Sequence, residues 1–339
     1  MKIRGAISGF GEVAAQAHLP GWRTRANVTI GAVHEPIAER RHEAIRLIEP
    51  VRVYDDLALM LDGEHPDFVD VASPPAMHFA AARAVLEAGA HVLVEKPLCL
   101  TLREFDELAA LAASRGRVLM CVHNWKFAPA YVAARAAIDA GRIGAPRSVS
   151  LERFRTQPAG AGGSGGRWRS AAASGGGILI DHGWHAFYLM RWLLGGAEPE
   201  LVSARLESSA ADGVDHVAEV RIGFSGSSRG SAHLSWRAPN RRTSATIEGA
   251  DGVIEIDGSR LTISSRGGAS EELPVADIPD DSYHSAWFGG VTEQFEDAIR
   301  AGRDSPAARI NLAEARAALG LILSARESSS SGGIEVKFP

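Results

Sequence analysis

Glu95-Lys96-Pro97 and the pair Asp181…His185 are the residues of this 339-residue chain whose types and spacing most directly suggest chemistry. Lys96 follows the apolar run His91–Val94, so it reads as standing at a strand end, where an ammonium is a strong donor to a substrate oxygen. Asp181 and His185 lie four apart behind Gly175-Gly176-Gly177. On a helix they share a face, and an Asp can orient an imidazole that works as a base near neutral pH. The apolar positions that follow (Phe187, Leu189, Met190, Trp192, Leu193, Leu194) make this a buried helix. Lys96, His185 and Asp181 are therefore the candidate catalytic residues.

A second set suggests a nucleotide. Gly9-Phe10-Gly11-Glu12-Val13-Ala14 follows one apolar run and opens a helical one. Gly9 permits a tight turn, Gly11 lets the backbone approach a pyrophosphate, and the helix N-terminus supplies free N–H groups. Glu35 falls just past the run Val28–Val33, near the spacing of a ribose-binding carboxylate. A carboxylate there repels a 2′-phosphate, which favours NAD; Arg40 and Arg41 soften that repulsion and leave NADP possible. Ser73-Pro74-Pro75 sits at another strand end, with His78 one turn into the next helix. Gly9, Phe10, Gly11, Glu12, Val13, Glu35, Arg40, Ser73, Pro74, His78, Glu95 and Lys96 make up the candidate cofactor set.

These residues need particular elements to hold them. Over the first 120 residues, strand-like runs (Ile3–Ser8, Val28–Val33, Asp67–Ser73, His91–Val94, Val118–Val122) alternate with helical ones (Glu12–Arg23, Ile37–Leu47, Met77–Ala88, Arg103–Ser114). That alternation predicts an α/β unit with a doubly wound parallel sheet. After about residue 145 the pattern becomes a meander of strands: Arg147–Phe154, Leu201–Glu207, Ala218–Phe224, Gly230–Trp236, Ser244–Glu248, Val253–Ile256 and Leu261–Ser264. The helix Asp181–Leu194 interrupts it, and helices Ala286–Ala301 and Leu312–Glu327 follow it. An α+β second half with an open, mainly antiparallel sheet is expected, with domains at 1–122 and 123–339. The glycine-rich stretch Gln157–Gly177 reads as a loop, and its Trp168 and Arg169 suggest a lid over a ligand. Ser328–Gly333 reads as a flexible stretch before a possible edge strand over Ile334–Phe338.

Composition narrows the classes. Hydrophobic residues make up 45% and charged residues 23%, as in ordinary globular proteins. The net charge of −5 predicts no nucleic-acid partner. No apolar run reaches the length of a membrane span, and the N-terminus lacks the h-region of a secretory leader. Two cysteines, Cys99 and Cys121, are too few for a secreted scaffold and lack zinc-ligand spacing. A cytoplasmic protein with no metal is expected.

In order and interval, the glycine loop with His18-Leu19-Pro20, Ser73-Pro74-Pro75 with His78, Glu95-Lys96-Pro97, and Gly-Gly-Gly-x-x-x-Asp-x-Gly-x-His resemble the Gfo/Idh/MocA oxidoreductases. The resemblance runs over nearly the whole chain. It implies a Rossmann domain followed by an open-sheet domain, a tightly held nicotinamide cofactor, and hydride transfer at a carbinol carbon of a sugar, cyclitol or related polyol. It further implies that Lys96 binds the reacting oxygen, that His185 relays its proton, and that Asp181 binds substrate and orients His185. Asn124 stands where the family often has a cofactor- or substrate-contacting Asn, and Trp168 resembles its loop tryptophan. Substrate contacts are then expected from Lys96, Asn124, Lys126, Trp168, Arg169, Asp181 and His185. The chain departs from the family pattern at Lys126 (often Arg), Tyr188 (often Asp) and Phe288 (often Tyr), all positions that would touch or neighbour substrate. The family also implies a homodimer or homotetramer through the C-terminal sheet, with apolar residues on both strand faces. Two alternative functions are glycoside hydrolysis at the same site by transient oxidation with bound NAD, and non-enzymatic nucleotide sensing, which would expect Lys96 or His185 to be missing.

Overall fold

Residues 2–158, 169, 175–268, 270–275 and 283–339 are described by the computed structural model, the Arg303 side chain apart. Trp168 lies outside them, as does most of the proposed lid. The chain divides into two units, though not at one cut after residue 122. Met1–Asn124 and Asp280–Ala315 form the first, Trp125–Pro279 and Arg316–Pro339 the second.

In the first unit, five short apolar runs and the tripeptide Arg52–Tyr54 form six strands: β1 (Ile3–Ser8), β2 (Val28–His34), β3 (Arg52–Tyr54), β4 (Phe68–Val71), β5 (His91–Val94) and β6 (Leu119–Cys121). Their order is β3-β2-β1-β4-β5-β6, and each neighbouring pair is parallel. Between them run helices α1 (Leu19–Arg23), α2 (Ala38–Leu47), α3 (Leu57–Glu64), α4 (Pro75–Glu87) and α5 (Leu102–Arg115). This is the expected doubly wound sheet, with its order reversing between β1 and β4, where such sheets bind ligands at the strand C-termini. The helix expected over Glu12–Arg23 contains a π-helical turn, Ala14–His18, ahead of α1.

The second unit carries α6 (Pro129–Asp139), α7 (Trp184–Leu193) and nine strands: β7 (Pro146–Phe154), β8 (Pro199–Ser208), β9 (Asp215–Phe224), β10 (Arg229–Ser235), β11 (Arg242–Gly249), β12 (Gly252–Asp257), β13 (Arg260–Ser265), β14 (Ser270–Pro274) and β15 (Val336–Lys337). They form one sheet, β14-β13-β12-β11-β7-β10-β9-β8-β15, parallel between β7 and β10 and antiparallel elsewhere. Val149, Leu151, Ala245, Ile247, Ile254 and Ile256 are buried on one face. The opposite face shows Ser150, Glu152, Thr246, Glu255 and Thr262. That corrects the expectation of apolar residues on both faces: the strands alternate with period two, as a half-covered antiparallel sheet requires. α7 has Phe187, Tyr188, Leu189, Met190 and Leu193 all fully buried, the all-round burial expected of a core helix.

Two further helices are α8 (Ser285–Ala301) and α9 (Pro306–Ser330). α8 belongs to the first unit because its Phe295 meets Phe68 and Trp22 at ring separations of 5.6 and 6.1 Å. Asn311, at the start of α9, closes the open edge of β6: its Oδ1 accepts the Cys121 N–H at 2.7 Å and its Nδ2 donates to Cys121 O at 2.9 Å. Ser328–Gly333 is not simply flexible. α9 continues to Ser330, and the hydroxyls of Ser328 and Ser329 accept the N–H groups of Ala204 and Leu206, at 2.9 and 3.0 Å.

Candidate functional site

Gly9 sits at the C-terminal end of β1 with φ +90, and a Cβ there would come within 2.6 Å of Ser73 N and 2.7 Å of Ser73 Cα. Only glycine lets this loop lie on the turn after β4. The loop is clamped from below. Phe10 is buried, and its N–H donates to Glu35 Oε2 at 2.8 Å, while Glu35 Oε1 accepts Ile37 N–H at 2.9 Å. Glu35, expected to face a ribose, thus also fixes the loop and its own following turn. Arg40 Nη1 stands 3.9 Å from Glu35 Oε2 and is the nearest atom a Cβ on Gly11 would meet, at 3.8 Å. Glu12 and Val13 are exposed, and Tyr283 donates to Glu12 Oε2 at 2.7 Å. The sequence offered no signal for Tyr283, which is 271 residues away.

Two buried polar atoms past the strand ends have no protein partner: Ser73 Oγ, beyond β4, and Asn124 Oδ1, beyond β6. Such atoms call for an acceptor or donor from a ligand or water. With the glycine cradle and the helix start they fit a dinucleotide. Gly9, Gly11, Ser73, Pro74 and Asn124 would hold it.

A buried ionic chain lies behind Lys96. His18 Nδ1 is 2.9 Å from Asp70 Oδ2, His18 Nε2 is 3.2 Å from Glu95 Oε1, and Trp22 Nε1 donates to Asp70 at 2.6 Å. Burial alone would push the His18 imidazole down, but the charges and hydrogen bonds of Asp70 and Glu95 raise it to about 9. Burial would likewise push the Glu95 carboxyl up, yet His18, with Lys96 beside it, holds it below the usual range. Glu95 Oε2 accepts Lys96 N–H at 2.8 Å. Glu95, a candidate cofactor contact, therefore spends its carboxylate on positioning. His78 does the same. Its Nδ1 is 2.6 Å from Pro97 O and its Nε2 is 2.7 Å from Ser73 O, so the ring braces two strand-end loops. Burial outweighs these carbonyls and pushes the imidazole down, toward the neutral form, which donates to one of the two carbonyls.

In the second unit, Asp181 lies in a π-helical turn, Leu179–Gly183, and His185 in α7. Asp181 Oδ2 accepts Arg169 Nε–H at 3.0 Å, and His182 Nε2 is 3.7 Å away. His185 Nδ1 lies 3.0 Å from Tyr188 Oη, which also accepts Trp125 N–H at 3.0 Å. The orienting group at Nδ1 is thus a tyrosine one turn along the helix. Lys126 is buried with its Nζ 5.3 Å from the Trp192 ring centroid. Arg153 of β7, also missed from sequence, is buried with its guanidinium 3.3 Å from the Trp125 ring centroid.

Residues 3–123 match the model of the oxidoreductase family with an NAD-binding Rossmann fold, GFO_IDH_MocA, and residues 131–255 match its C-terminal domain. The D-apiose dehydrogenase of Paraburkholderia graminis is 27% identical over 79% of this chain and 71% of its own. The dTDP-3,4-didehydro-2,6-dideoxy-alpha-D-glucose 3-reductase of Streptomyces violaceoruber is 30% identical over 75% and 72%. Other curated relatives are matched over about half of their length. Among solved structures, GenD2 from gentamicin A biosynthesis, in complex with NAD, superposes with a TM-score of 0.84 at 26% identity, covering 100% of this chain and 97% of that one.

Proposed function

The chain belongs to the Gfo/Idh/MocA family of NAD-binding oxidoreductases, and on that premise we propose that it moves a hydride between the nicotinamide and a carbinol carbon of a sugar, cyclitol or related polyol. One observation carries the proposal. Lys96 stands just past β5, on the same C-terminal edge of the six-stranded sheet as the Gly9–Gly11 loop past β1. The relatives named for sugar dehydrogenation and reduction support the substrate class.

NAD, when bound, supplies the hydride acceptor. The Lys96 ammonium stabilises the alkoxide that develops as the alcohol is oxidised. His185 takes the hydroxyl proton, its ring held at Nδ1 by Tyr188 Oη. Asp181 binds substrate hydroxyls with Arg169, and Asn124, Lys126 and Trp168 complete the contacts. NAD is preferred to NADP because the Glu35 carboxylate opposes a 2′-phosphate. The protein works in the cytoplasm, in keeping with two buried free cysteines, and forms a homodimer or homotetramer through the sheet of the second unit. Among the described residues no helix is long and apolar enough to cross a membrane.

A panel of sugars and inositols, followed by the absorbance of reduced cofactor, tests this. Lys96→Ala lowers kcat by about 10²–10⁴ with NAD still bound, and His185→Ala costs a similar factor and removes the acidic limb of the pH–rate profile. The two losses do not add, because both groups act on one oxygen. Full activity in either variant, on a substrate the parent turns over, sinks the assignment.

A further inference from the structure

We propose that the substrate carries an anionic group, a carboxylate or a phosphate ester, and that Arg153 receives it. This rests on the dehydrogenase assignment above. Arg153 is 1% exposed, yet neither Nη1 nor Nη2 has a hydrogen-bond partner. A guanidinium stays charged at any physiological pH, and burying it without an acceptor is among the costliest arrangements in a protein. Among the described residues, the polar groups that act on it are the phenols of Tyr131 and Tyr188 and the like charge of Arg241. No carboxylate is among them, and Tyr131 Oη is itself buried without a partner.

The surroundings add positive charge. Arg155, two residues along β7, donates to Phe154 O at 2.7 Å, Arg242 O at 3.0 Å and Thr243 Oγ1 at 3.1 Å. Burial, with Arg153 and Arg241, pushes it down to about 9, and among the described residues Asp181 acts the other way. Asp181 is already engaged by Arg169, at 3.0 Å. The local excess of cations is matched by a ligand that brings negative charge.

The position of Arg153 makes that ligand the substrate. Its guanidinium lies over Trp125, 3.3 Å from the ring centroid, and the same ring stands 5.8 Å from that of His185. Trp125 N–H reaches Tyr188 Oη, and Tyr188 Oη reaches His185 Nδ1, each at 3.0 Å. One aromatic ring therefore separates Arg153 from the proposed proton acceptor. Stacking fixes the plane of the fork, and a fixed fork suits the two oxygens of a carboxylate or phosphate better than a lone hydroxyl.

The test uses the full chain with NAD and three sugars: D-glucose, D-glucuronate and D-glucose 6-phosphate. The parent favours at least one of the anionic sugars over D-glucose by about 10- to 150-fold in kcat/KM, the range of a charged hydrogen bond. The two anionic arms tell carboxylate from phosphate. Arg153→Met collapses the preference to within about threefold, and Arg153→Lys, which keeps the charge but not the fork, retains part of it. Thermal melts run beside the kinetics. Glucuronate or the 6-phosphate raises the parent's melting temperature and D-glucose does not, and Arg153→Met abolishes the difference. Equal use of charged and neutral sugars by the parent overturns the proposal, as does a preference or a melting shift that survives unchanged in Arg153→Met. Anion-dependent stabilisation without NADH from any sugar upholds Arg153 as the receptor and sinks the dehydrogenase assignment instead.

Discussion

Replacing His18 by Gln removes one positive charge from a buried cluster that holds two carboxylates. Asp70 and His18 are fully buried, and His18 spans 2.9 Å to Asp70 on one side and 3.2 Å to Glu95 on the other. Its imidazole titrates at about 9 in the fold against 6.5 for the free side chain. Each pKa unit is worth about 1.4 kcal/mol, so the protonated form contributes about 3 kcal/mol. The folded value is the raised one. The contribution is therefore complete below pH 6.5 and fades as the pH climbs through about 9. Gln can donate once, as a neutral imidazole does, but it cannot carry the charge. Urea unfolding followed by tryptophan fluorescence, with Trp22 in the cluster as a reporter, should show His18→Gln less stable by about 3 kcal/mol near pH 6. The gap should close to within about 0.5 kcal/mol at the alkaline end of the titration. A stability difference that stays constant across this range would refute the charged cluster, because only titration of His18 makes it pH-dependent.

Two further substitutions probe the nucleotide loop. Glu35→Ser should improve NADP binding relative to NAD, while weakening NAD itself severalfold, because Phe10 N–H and Ile37 N–H lose their acceptor. Titration of both cofactors by intrinsic fluorescence reads this, and a parent that already binds NADP tenfold better ends the role given to Glu35. Gly9→Ala, forced to φ +90 with its Cβ 2.6 Å from Ser73 N, should cost at least about 2 kcal/mol and abolish NAD binding. An unchanged melting temperature would show that the loop can move off the β4–α4 turn.

Local patterns carried most of the fold. Short apolar runs located β1, β2 and β5, and helical runs located α2, α4 and α5. β3 and α3 were not foreseen: Arg52-Val53-Tyr54 is only three residues long, and Leu57–Glu64 is too short to show a period. The π-helical turns at Ala14–His18 and Leu179–Gly183 have no sequence signature at all. The division of the chain was also out of reach. A helical run after a meander could belong to either half, and it is three-dimensional packing, such as that of Phe295 on Phe68 and Trp22, that assigns α8 to the first unit.

The candidate site shows the same limit more sharply, since its residue types were legible and their partners were not. Lys96, Asp181 and His185 stood out because few residues can do such chemistry. The four-residue spacing predicts Asp181 as the group that orients His185. In the fold a π-helical turn occupies that interval, Arg169 engages Asp181, and Tyr188 stands 3.0 Å from His185 Nδ1. In the sequence Tyr188 stands out only as a departure from the family pattern. A phenol there can hold the imidazole without adding charge, so it orients His185 while leaving the cations around Arg153 uncompensated. Replacing an acid by a phenol at that position shifts the local balance toward positive charge, the balance that the proposed anionic substrate would offset.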